Sequence, residues 1–356
     1  MPSRPLRAQH APDSTHYAVN DSHFHLTNYV QEGPTLQQFL TMMGTTVGRV
    51  ALFGIPLQQE WSHRVDGDHA PTYYLGTDAP LYYYSFTDAA IAMAYRALPP
   101  GERARFDPMI TGFNPADMYA ADHIRRVLHV FPGVFTGIGE FTIHKEFVSG
   151  KIAGGGGSLT DPALDRLLDF VAEVGLVAII HSDIDLPYAA PGSATATLNL
   201  SDAPPGPVPE YLAQMTALLK RHPKATIIWA HTGLGRTVRP IHDHVKAIAA
   251  LLADPGLPNL YFDISWKVVA DYVTANDSSL TATAALLNRF PDRFLFGTDA
   301  LAPSDAKSYL DVYAEYAPLW RRLTPDASEK VRLGNFARIF DTGRQRVRAW
   351  ERAHPE

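Results

Sequence analysis

The stretch "DPALDRLLDFVAEVGLVAIIHSD", residues 161–183, contains one complete repeating unit of the fold. Its first part predicts a helix, because Asp161 is a candidate N-cap, Pro162 takes the first helical position, apolar residues recur at helical spacing and Gly175 ends the pattern. The apolar run that follows predicts a short buried strand ending at His181. A helix that leads directly into a buried strand is typical of β/α repeats around a parallel sheet.

Runs of the same kind, apolar and rich in β-branched residues, recur along the chain and are separated by helical patterns such as "PEYLAQMTALLKRHP" (209–223) and "TATAALLNRFPDR" (281–293). The eight runs are "HYAVND" (16–21), "RVALFGIP" (49–56), "FDPMITGFNP" (106–115), "VFTGIGEF" (134–141), "LVAIIHSD" (176–183), "TIIWAHTG" (226–233), "LYFDISW" (260–266) and "RFLFGTDA" (293–300). Eight parallel strands predict a (β/α)8 barrel, or TIM barrel, rather than an open doubly wound sheet. No G-x-G-x-x-G follows the first run, which disfavours dinucleotide binding.

The chain contains no low-complexity linker or charge break, so we predict a single α/β domain over residues 1–356, with residues 1–15 as a flexible N-terminal segment. Three connections after strands are long, at 57–90, 142–160 and 184–206, and would lie on the face where barrel enzymes build their active sites. The first is rich in tyrosine. These side chains either wall a substrate pocket, or pack the insert onto the barrel, or form the interface of a homo-oligomer; they are Tyr73, Tyr74, Tyr82, Tyr83 and Tyr84.

The overall composition limits the kinds of molecule that the protein can be expected to bind. The chain is 46% hydrophobic, and its formal charge of -6 arises from 31 basic and 37 acidic residues without a lysine or arginine run. This disfavours extended nucleic-acid binding but allows a small, even phosphorylated, substrate. Because no long apolar segment or signal-peptide pattern is present, the sequence favours a cytoplasmic protein with no membrane association. The chain has no cysteine, so a metal would have to be bound by His, Asp and Glu.

Side chains of ligand type end most of the predicted strands. His23 and His25 are two positions apart, so an extended backbone would direct both imidazoles to one side. Each member alone has a simpler explanation, such as a hydrogen-bonded core histidine or a helix cap. Because the strands of a barrel end on one face, the whole set predicts one shared metal site. Its members are His23 and His25 on strand one, Glu140 on strand four, His181 on strand five, His231 on strand six and Asp299 on strand eight.

The ordered set "DSHFHL", "GIGEF", "IIHSD", "WAHTGLGR", "FLFGTD" and "KVRLGNFARIF" resembles the amidohydrolase superfamily, and within it the amidohydrolase-related group of metal-dependent hydrolases and non-oxidative decarboxylases. The resemblance covers nearly the whole chain. It implies that His23, His25 and Asp299 bind one metal ion. It also implies that His181 and His231 bind a second ion or, in one-metal members, supply a ligand and a contact to substrate or water.

Glu140 stands where many two-metal relatives carry a carbamylated lysine, and it resembles the strand-four glutamate of TatD-type nucleases. The nuclease pattern continues with Gly-Leu-Asp, whereas this chain continues with Phe141, Thr142 and Ile143, so the resemblance does not extend to a nuclease. Since a carboxylate can bridge two ions, the sequence is compatible with one or two divalent metals. The resemblance favours Zn²⁺, and oxygen-rich ligation would also tolerate Mn²⁺ or Fe²⁺.

These features predict hydrolysis of a small-molecule ester, lactone, amide or phosphoester by metal-bound hydroxide, with Asp299 as general base and acid and His231 stabilising the oxyanion. The alternative is a metal-dependent decarboxylase of an aromatic or unsaturated carboxylic acid. Asp263 is expected to face a helix or a backbone amide rather than the metal. Four residues on the same face either bind an anionic substrate or, for the basic ones, neutralise nearby carboxylates; they are Lys145, Arg236, Trp266 and Lys267.

Overall fold

The computed structural model describes residues 17–185, 209–236, 238 and 243–355. The predicted flexible segment 1–15 and most of the third long connection, from residue 186 onward, lie outside the described residues. In the described part of the chain, no helix is both long enough and apolar enough to cross a membrane.

A sheet of parallel strands forms the centre of the molecule, in the order β10-β9-β8-β7-β6-β5-β2-β1-β11, and β3 and β4 form a separate antiparallel hairpin in the first long connection. The strands are β1 (Val19–His25), β2 (Val47–Phe53), β3 (Leu57–Gln59), β4 (Leu81–Tyr83), β5 (Phe106–Ile110), β6 (Gly137–His144), β7 (Val177–Ser182), β8 (Thr226–Trp229), β9 (Leu260–Asp263), β10 (Phe294–Leu295) and β11 (Ala300–Leu301). Seven of the predicted runs each overlap one of the central strands, and the eighth contains β10 and the start of β11.

The eighth strand closes the sheet into a barrel. Its first half, β10, pairs with β9, and its second half, β11, pairs with β1. Between the two halves, the Ser22 amide donates to the Phe296 carbonyl at 3.0 Å and the Asp299 amide donates to the His23 carbonyl at 2.8 Å. The predicted TIM barrel is therefore confirmed, with a closing strand that is regular only at its two ends.

Helices surround the barrel: α1 (Leu36–Met43), α2 (Phe86–Ala97), α3 (Pro100–Arg103), α4 (Ala120–Val130), α5 (Pro162–Val174), α6 (Glu210–Arg221), α7 (His244–Ala253), α8 (Lys267–Thr274), α9 (Asp277–Arg289), α10 (Ala306–Glu315), α11 (Ala317–Trp320), α12 (Pro325–Glu329) and α13 (Asn335–Ala353). Helix α5 has the predicted bounds and ends at Gly175, whose φ of 81° is left-handed. Asp161 precedes the helix but does not cap it, because its carboxylate instead accepts a hydrogen bond from the Ser158 amide at 2.8 Å.

The first strand lies further along the chain than the run 16–21 suggested, so both histidines of the His-x-His pair lie inside β1. Because side chains alternate along a strand, His23 and His25 face the barrel interior and Phe24 faces outward. The Phe24 ring stacks on Phe39 of α1 with 3.8 Å between ring centroids, and it meets the edge of Tyr309 in α10. The apolar residue between the two histidines therefore anchors β1 to the helical layer.

A separate apolar cluster, which includes Tyr74, packs the first long connection, and the apolar core of the barrel itself has two layers. The larger lies between the strands and the surrounding helices, and a smaller one fills the barrel interior. Strand residues such as Ala51 and Ile179 contribute to the inner layer, and α13 packs Phe336 and Phe340 against it. The interior is thus filled below the histidines, which leaves the polar side chains at the carboxyl ends of the strands as the open end of the barrel.

Candidate metal centre

The structure brings all six predicted ligand residues together at the carboxyl ends of the barrel strands. His23 and His25 lie in β1, Glu140 in β6 and His181 in β7, while His231 follows β8 and Asp299 lies between β10 and β11. Five of these side chains are at most 2% exposed, and Asp299 is the most accessible at 11%. Asp299 is therefore the member of the cluster that is most accessible from the mouth of the barrel.

Glu140 lies at the centre of the cluster, and its two carboxylate oxygens face different neighbours. Oε1 lies 2.7 Å from His181 Nδ1, 3.2 Å from His231 Nε2 and 3.6 Å from His23 Nε2, and Oε2 lies 3.5 Å from both His25 Nε2 and Lys145 Nζ. Burial alone would raise the pKa of Glu140, but the Lys145 ammonium and the His181 ring outweigh burial and hold this pKa well below its usual range. The central carboxyl group is therefore ionised.

Asp299 lies beside the His-x-His pair, with Oδ1 at 3.1 Å from His25 Nε2 and 3.3 Å from His23 Nε2. Burial again opposes ionisation, but the adjacent His23 and His25 rings overcome it, and the pKa of Asp299 lies well below the ordinary value. The backbone of Asp299 has a φ of 51°, a left-handed conformation that is uncommon for a residue other than glycine. His231 and Trp266, which follow β8 and β9, also have positive φ, at 57° and 78°. Backbone strain is thus concentrated around the cluster.

Three of the histidines are oriented in the same way. In each, Nδ1 points away from the cluster and lies within hydrogen-bonding distance of an oxygen acceptor. The acceptors are Asp263 for His23 at 2.9 Å, the Gly54 carbonyl for His25 at 3.2 Å, and Ser265 Oγ for His231 at 2.8 Å. Their Nε2 atoms are therefore left to face the cluster, which is the arrangement of metal-binding histidines. His181 is different, because its Nδ1 faces Glu140 and its Nε2 lies 3.2 Å from Asp183 Oδ1.

The donor set fits a divalent metal ion. Among the six predicted ligands, nitrogen and carboxylate atoms within 4.8 Å of one another form three overlapping groups: His23, His25 and Glu140; His23, His231 and Asp299; and Glu140, His181 and His231. In the described part of the chain, the buried Nε2 atom of His23 has no hydrogen-bond partner, as expected for a lone pair reserved for a ligand. Imidazole and carboxylate donors suit Zn²⁺, Mn²⁺ and Fe²⁺.

The sequence did not identify Asp263 and Ser265 as part of this site. Asp263 accepts hydrogen bonds from the His231 and Ser265 amides, as expected for a carboxylate that faces backbone, but its other oxygen contacts His23. Its position in the sequence could have indicated this role. Asp263 is the last residue of β9 and so lies on the same face as the other strand-end residues.

Of the predicted substrate residues, Lys145, Arg236 and Trp266 lie together. The Trp266 ring centroid lies 5.9 Å from Lys145 Nζ, 4.9 Å from Arg236 Cζ and 5.0 Å from the His231 ring centroid. Two tyrosines of the first long connection join this group, since Arg236 donates hydrogen bonds to the hydroxyls of Tyr73 and Tyr74. Tyr82 and Tyr83 lie in the β3–β4 hairpin, and Tyr84 follows it.

Lys267 does not join this group. Its side chain is 59% exposed, and its ammonium binds Asp271 at 3.0 Å and Glu315 at 2.7 Å. Lys267 begins α8 and its ammonium faces Glu315 of α10, whereas Trp266 precedes the helix with a positive φ, so the two neighbouring side chains point in different directions.

A family model described as Amidohydrolase matches residues 21–342, and the chain therefore belongs to the amidohydrolase family. This range includes all six members of the cluster. A comparison with curated proteins finds no match.

Solved structures of several relatives share the fold. A proposed 2-pyrone-4,6-dicarboxylic acid hydrolase from Pseudomonas putida is 12% identical, with a TM-score of 0.53 over 91% of this chain and 98% of that one. A dihydroorotase from Campylobacter jejuni is 15% identical, with a TM-score of 0.50 over 91% and 83%. A 2,6-dihydroxybenzoate decarboxylase complexed with 2,6-dihydroxybenzoate is 14% identical, with a TM-score of 0.50 over 91% and 98%. At these identities the likeness establishes a common barrel fold, which serves both hydrolases and decarboxylases.

Proposed function

We propose that the protein is a metal-dependent hydrolase that acts on a small-molecule ester, lactone, amide or phosphoester. The observation that carries the proposal is the position of Glu140, whose carboxylate belongs both to a group with His23 and His25 and to a group with His181 and His231. A carboxylate shared by two ligand groups suits a pair of ions, and Asp299 would complete the group that contains His23. Zn²⁺ is the preferred ion, and Mn²⁺ or Fe²⁺ would also suit these donors.

A divalent ion, when bound, would lower the pKa of a water molecule to about 7 and would polarise a carbonyl or phosphoryl oxygen. Asp299 is ionised and reaches the mouth of the barrel, so its carboxylate can take the proton from the attacking water and deliver it to the leaving group. If His231 is not a metal ligand, it can donate a hydrogen bond from Nε2 to the developing oxyanion, which requires the Ser265 hydroxyl to donate to its Nδ1. Burial lowers the pKa of His231, which keeps the ring neutral.

The substrate is expected to carry an anionic group. Lys145 and Arg236 place two positive charges beside the Trp266 ring. The guanidinium is held by the Tyr73 and Tyr74 hydroxyls, so its remaining N–H groups are oriented in advance for a carboxylate or phosphate. Trp266 offers an apolar surface between these charges and His231.

A decarboxylase of an aromatic or unsaturated carboxylic acid is the second candidate. The contact that favours it is Lys145 Nζ, which lies 3.5 Å from Glu140 Oε2 and so supplies the positive charge that a second ion would otherwise bring. A single ion held by His23, His25 and Asp299 would then leave Lys145 and Arg236 to bind a substrate carboxylate.

Metal content per chain separates the two candidates. The protein is freed of metal, reconstituted with Zn²⁺ alone, and its bound equivalents are measured for the wild type, for Glu140→Ala and for the exposed control Glu60→Gln. A shared Glu140 predicts two equivalents that fall to one or none in Glu140→Ala and remain two in Glu60→Gln. One equivalent that persists in Glu140→Ala contradicts the shared site. Reactions in ¹⁸O-labelled water then distinguish hydrolysis, which labels the product, from release of CO₂.

A further inference from the structure

We propose that Lys151 is a positioning residue of the substrate site, because it fastens the segment whose Tyr73 and Tyr74 hydroxyls hold Arg236. Lys151 lies in the second long connection, the two tyrosines lie in the first, and Arg236 follows β8. The inference rests on the proposed function in one respect, namely that Arg236 binds an anionic group of the substrate. None of these four residues is a candidate metal ligand.

The guanidinium of Arg236 is held by aromatic side chains and not by a carboxylate. Nη1 donates to the Tyr74 hydroxyl, Nη2 donates to the Tyr73 hydroxyl at 3.0 Å, and Cζ lies 4.9 Å from the Trp266 ring centroid. Arg236 is exposed, and among residues 17–185, 209–236, 238 and 243–355 it has no acidic ion-pair partner. An exposed arginine without such contacts samples many rotamers, which a bound anion would have to restrict. The tyrosines therefore orient the guanidinium before the substrate binds.

The two tyrosines form one packed unit. Tyr74 is 2% exposed, and its ring centroid lies 4.6 Å from that of Tyr73 and 4.7 Å from that of Tyr29. Tyr29 also meets the Tyr73 ring edge-on, at 6.0 Å between centroids. Because the rings are packed against one another, the backbone that carries them sets where both hydroxyls lie.

Lys151 binds this backbone directly. Its ammonium donates to the Tyr74 carbonyl at 2.5 Å and to the Thr77 carbonyl, so it holds the two ends of the short 3₁₀ turn Tyr74–Gly76. In the part of the chain that the structure describes, no carboxylate pairs with Lys151. Hydrogen bonds from a charged donor are roughly twice as strong as those between neutral groups. The charge of Lys151 is therefore used to hold the tyrosine turn.

Other contacts between the two long connections define what Lys151 adds. The Ala153 amide donates to the Leu81 carbonyl at 2.7 Å, and Ile152 packs in the same apolar cluster as Tyr74. These contacts attach the β3–β4 hairpin and the buried ring, whereas Lys151 contacts the backbone of the turn itself. Loss of the ammonium is therefore expected to loosen the turn and to leave the hairpin in place.

The first measurement is backbone hydrogen exchange of the full-length, Zn²⁺-loaded protein. Lys151→Met keeps a long side chain without the ammonium, and Lys307→Met is the control, since the Lys307 side chain is 86% exposed. We expect residues 73–79 to exchange roughly 10-fold faster in Lys151→Met than in the wild type or the control, because a charge-assisted contact is lost. Equal exchange in all three proteins would overturn the proposal, whatever the substrate of the enzyme.

The second measurement asks whether Lys151 acts through Arg236. Benzoate and the uncharged benzamide are titrated calorimetrically into the wild type, Lys151→Met, Arg236→Gln and the double variant. We expect Lys151→Met to weaken benzoate binding by roughly 3–10-fold, to leave benzamide binding unchanged, and to have no further effect once Arg236 is replaced. Equal losses with and without Arg236 contradict this inference alone. A wild type without preference for benzoate contradicts the anionic substrate of the proposed function as well.

A second variant covers the case in which Lys151→Met does not fold. Tyr73→Phe keeps the aromatic packing and removes the acceptor of Arg236 Nη2, and Tyr119→Phe is the control, since Tyr119 is 68% exposed. We expect Tyr73→Phe to bind benzoate more weakly than the control and to bind benzamide equally well. Unchanged benzoate binding by Tyr73→Phe would show that the tyrosines do not position Arg236.

Discussion

The carboxylate of Asp263 lies 2.9 Å from Nδ1 of His23, on the side of the ring opposite the metal centre. Its other oxygen accepts the His231 amide at 2.8 Å, so one buried acid orients two candidate ligands from different strands. Burial alone would raise the pKa of Asp263, but the His23 ring outweighs it and lowers this pKa. An ionised Asp263 makes His23 a stronger donor at Nε2.

Asp263→Asn is expected to weaken Zn²⁺ binding by roughly 10–100-fold, because the amide keeps the size of the side chain but loses the charge that holds His23 in one tautomer. Competition against a chelating indicator measures the Kd. The exposed Asp271→Asn is the matched control and should bind as the wild type does. An unchanged Kd in Asp263→Asn would show that His23 is not held through this contact.

Arg236→Gln is expected to lower kcat/KM for an anionic ester by roughly 10–100-fold, the usual value of a hydrogen bond between two charged groups. The same variant should act on the uncharged analogue of that ester almost as the wild type does. Lys267→Gln, whose side chain points to α10, should leave both rates unchanged. Equal losses on the charged and the uncharged substrate would indicate that Arg236 only supports the fold.

Asp88 gives the stability of the protein a pH dependence. This buried carboxylate accepts hydrogen bonds from the Thr111 and Gly112 amides, both at 2.9 Å, and burial raises its pKa from 3.8 to about 7 despite these bonds. The folded state therefore retains a proton that the unfolded chain releases. The contribution of Asp88 to stability is largest below pH 4 and falls as pH rises to 7, by up to roughly 4 kcal/mol.

The measurement is urea unfolding of the wild type and Asp88→Asn at pH 5 and pH 8. We expect the free energy of unfolding of the wild type, relative to Asp88→Asn, to decrease between these two pH values. The exposed Asp68→Asn should show no such change relative to the wild type. A difference that is constant with pH would mean that Asp88 is ionised throughout the range.

Asp107 stabilises the opposite end of the barrel. It is fully buried at the start of β5 and accepts hydrogen bonds from Arg49 at 2.8 and 3.1 Å and from Arg344 of α13. Asp107→Ala should lower the free energy of unfolding by roughly 2–3 kcal/mol, because both arginines lose their buried partner but can partly turn to solvent. Asp341→Ala removes only the exposed partner of Arg49 and should cost less than about 0.5 kcal/mol. Zn²⁺ binding should be unchanged in both variants; a loss would mean that the two ends of the barrel are coupled.

The barrel could be predicted from the sequence because each helix–strand unit is encoded in one short, continuous segment. A helix such as α5 and the strand that follows it are encoded within residues 161–183, and eight repeats imply the closed sheet. The division of the eighth strand into β10 and β11 was not predictable, since it depends on pairing with β9 on one side and β1 on the other.

The candidate ligands were predictable from a rule of topology, because each ends a parallel strand. The contact between Asp263 and His23 was not, since it joins residues 240 positions apart and depends on how the two strands are rotated. The direction of the Lys267 side chain was not predictable for a related reason. The sequence indicates that it follows a strand, but the direction of its side chain is set by the first turn of α8.

The break between β10 and β11 has a consequence for synthesis on the ribosome. The histidines of β1 are made near the beginning of the chain, whereas Asp299, which bonds to the His23 carbonyl through its amide, is made near the end. A nascent chain that stops before residue 299 has an open sheet edge at β1 and a set of histidines without their last carboxylate. Assembly of the centre therefore waits for the final strand, and truncated chains cannot form it.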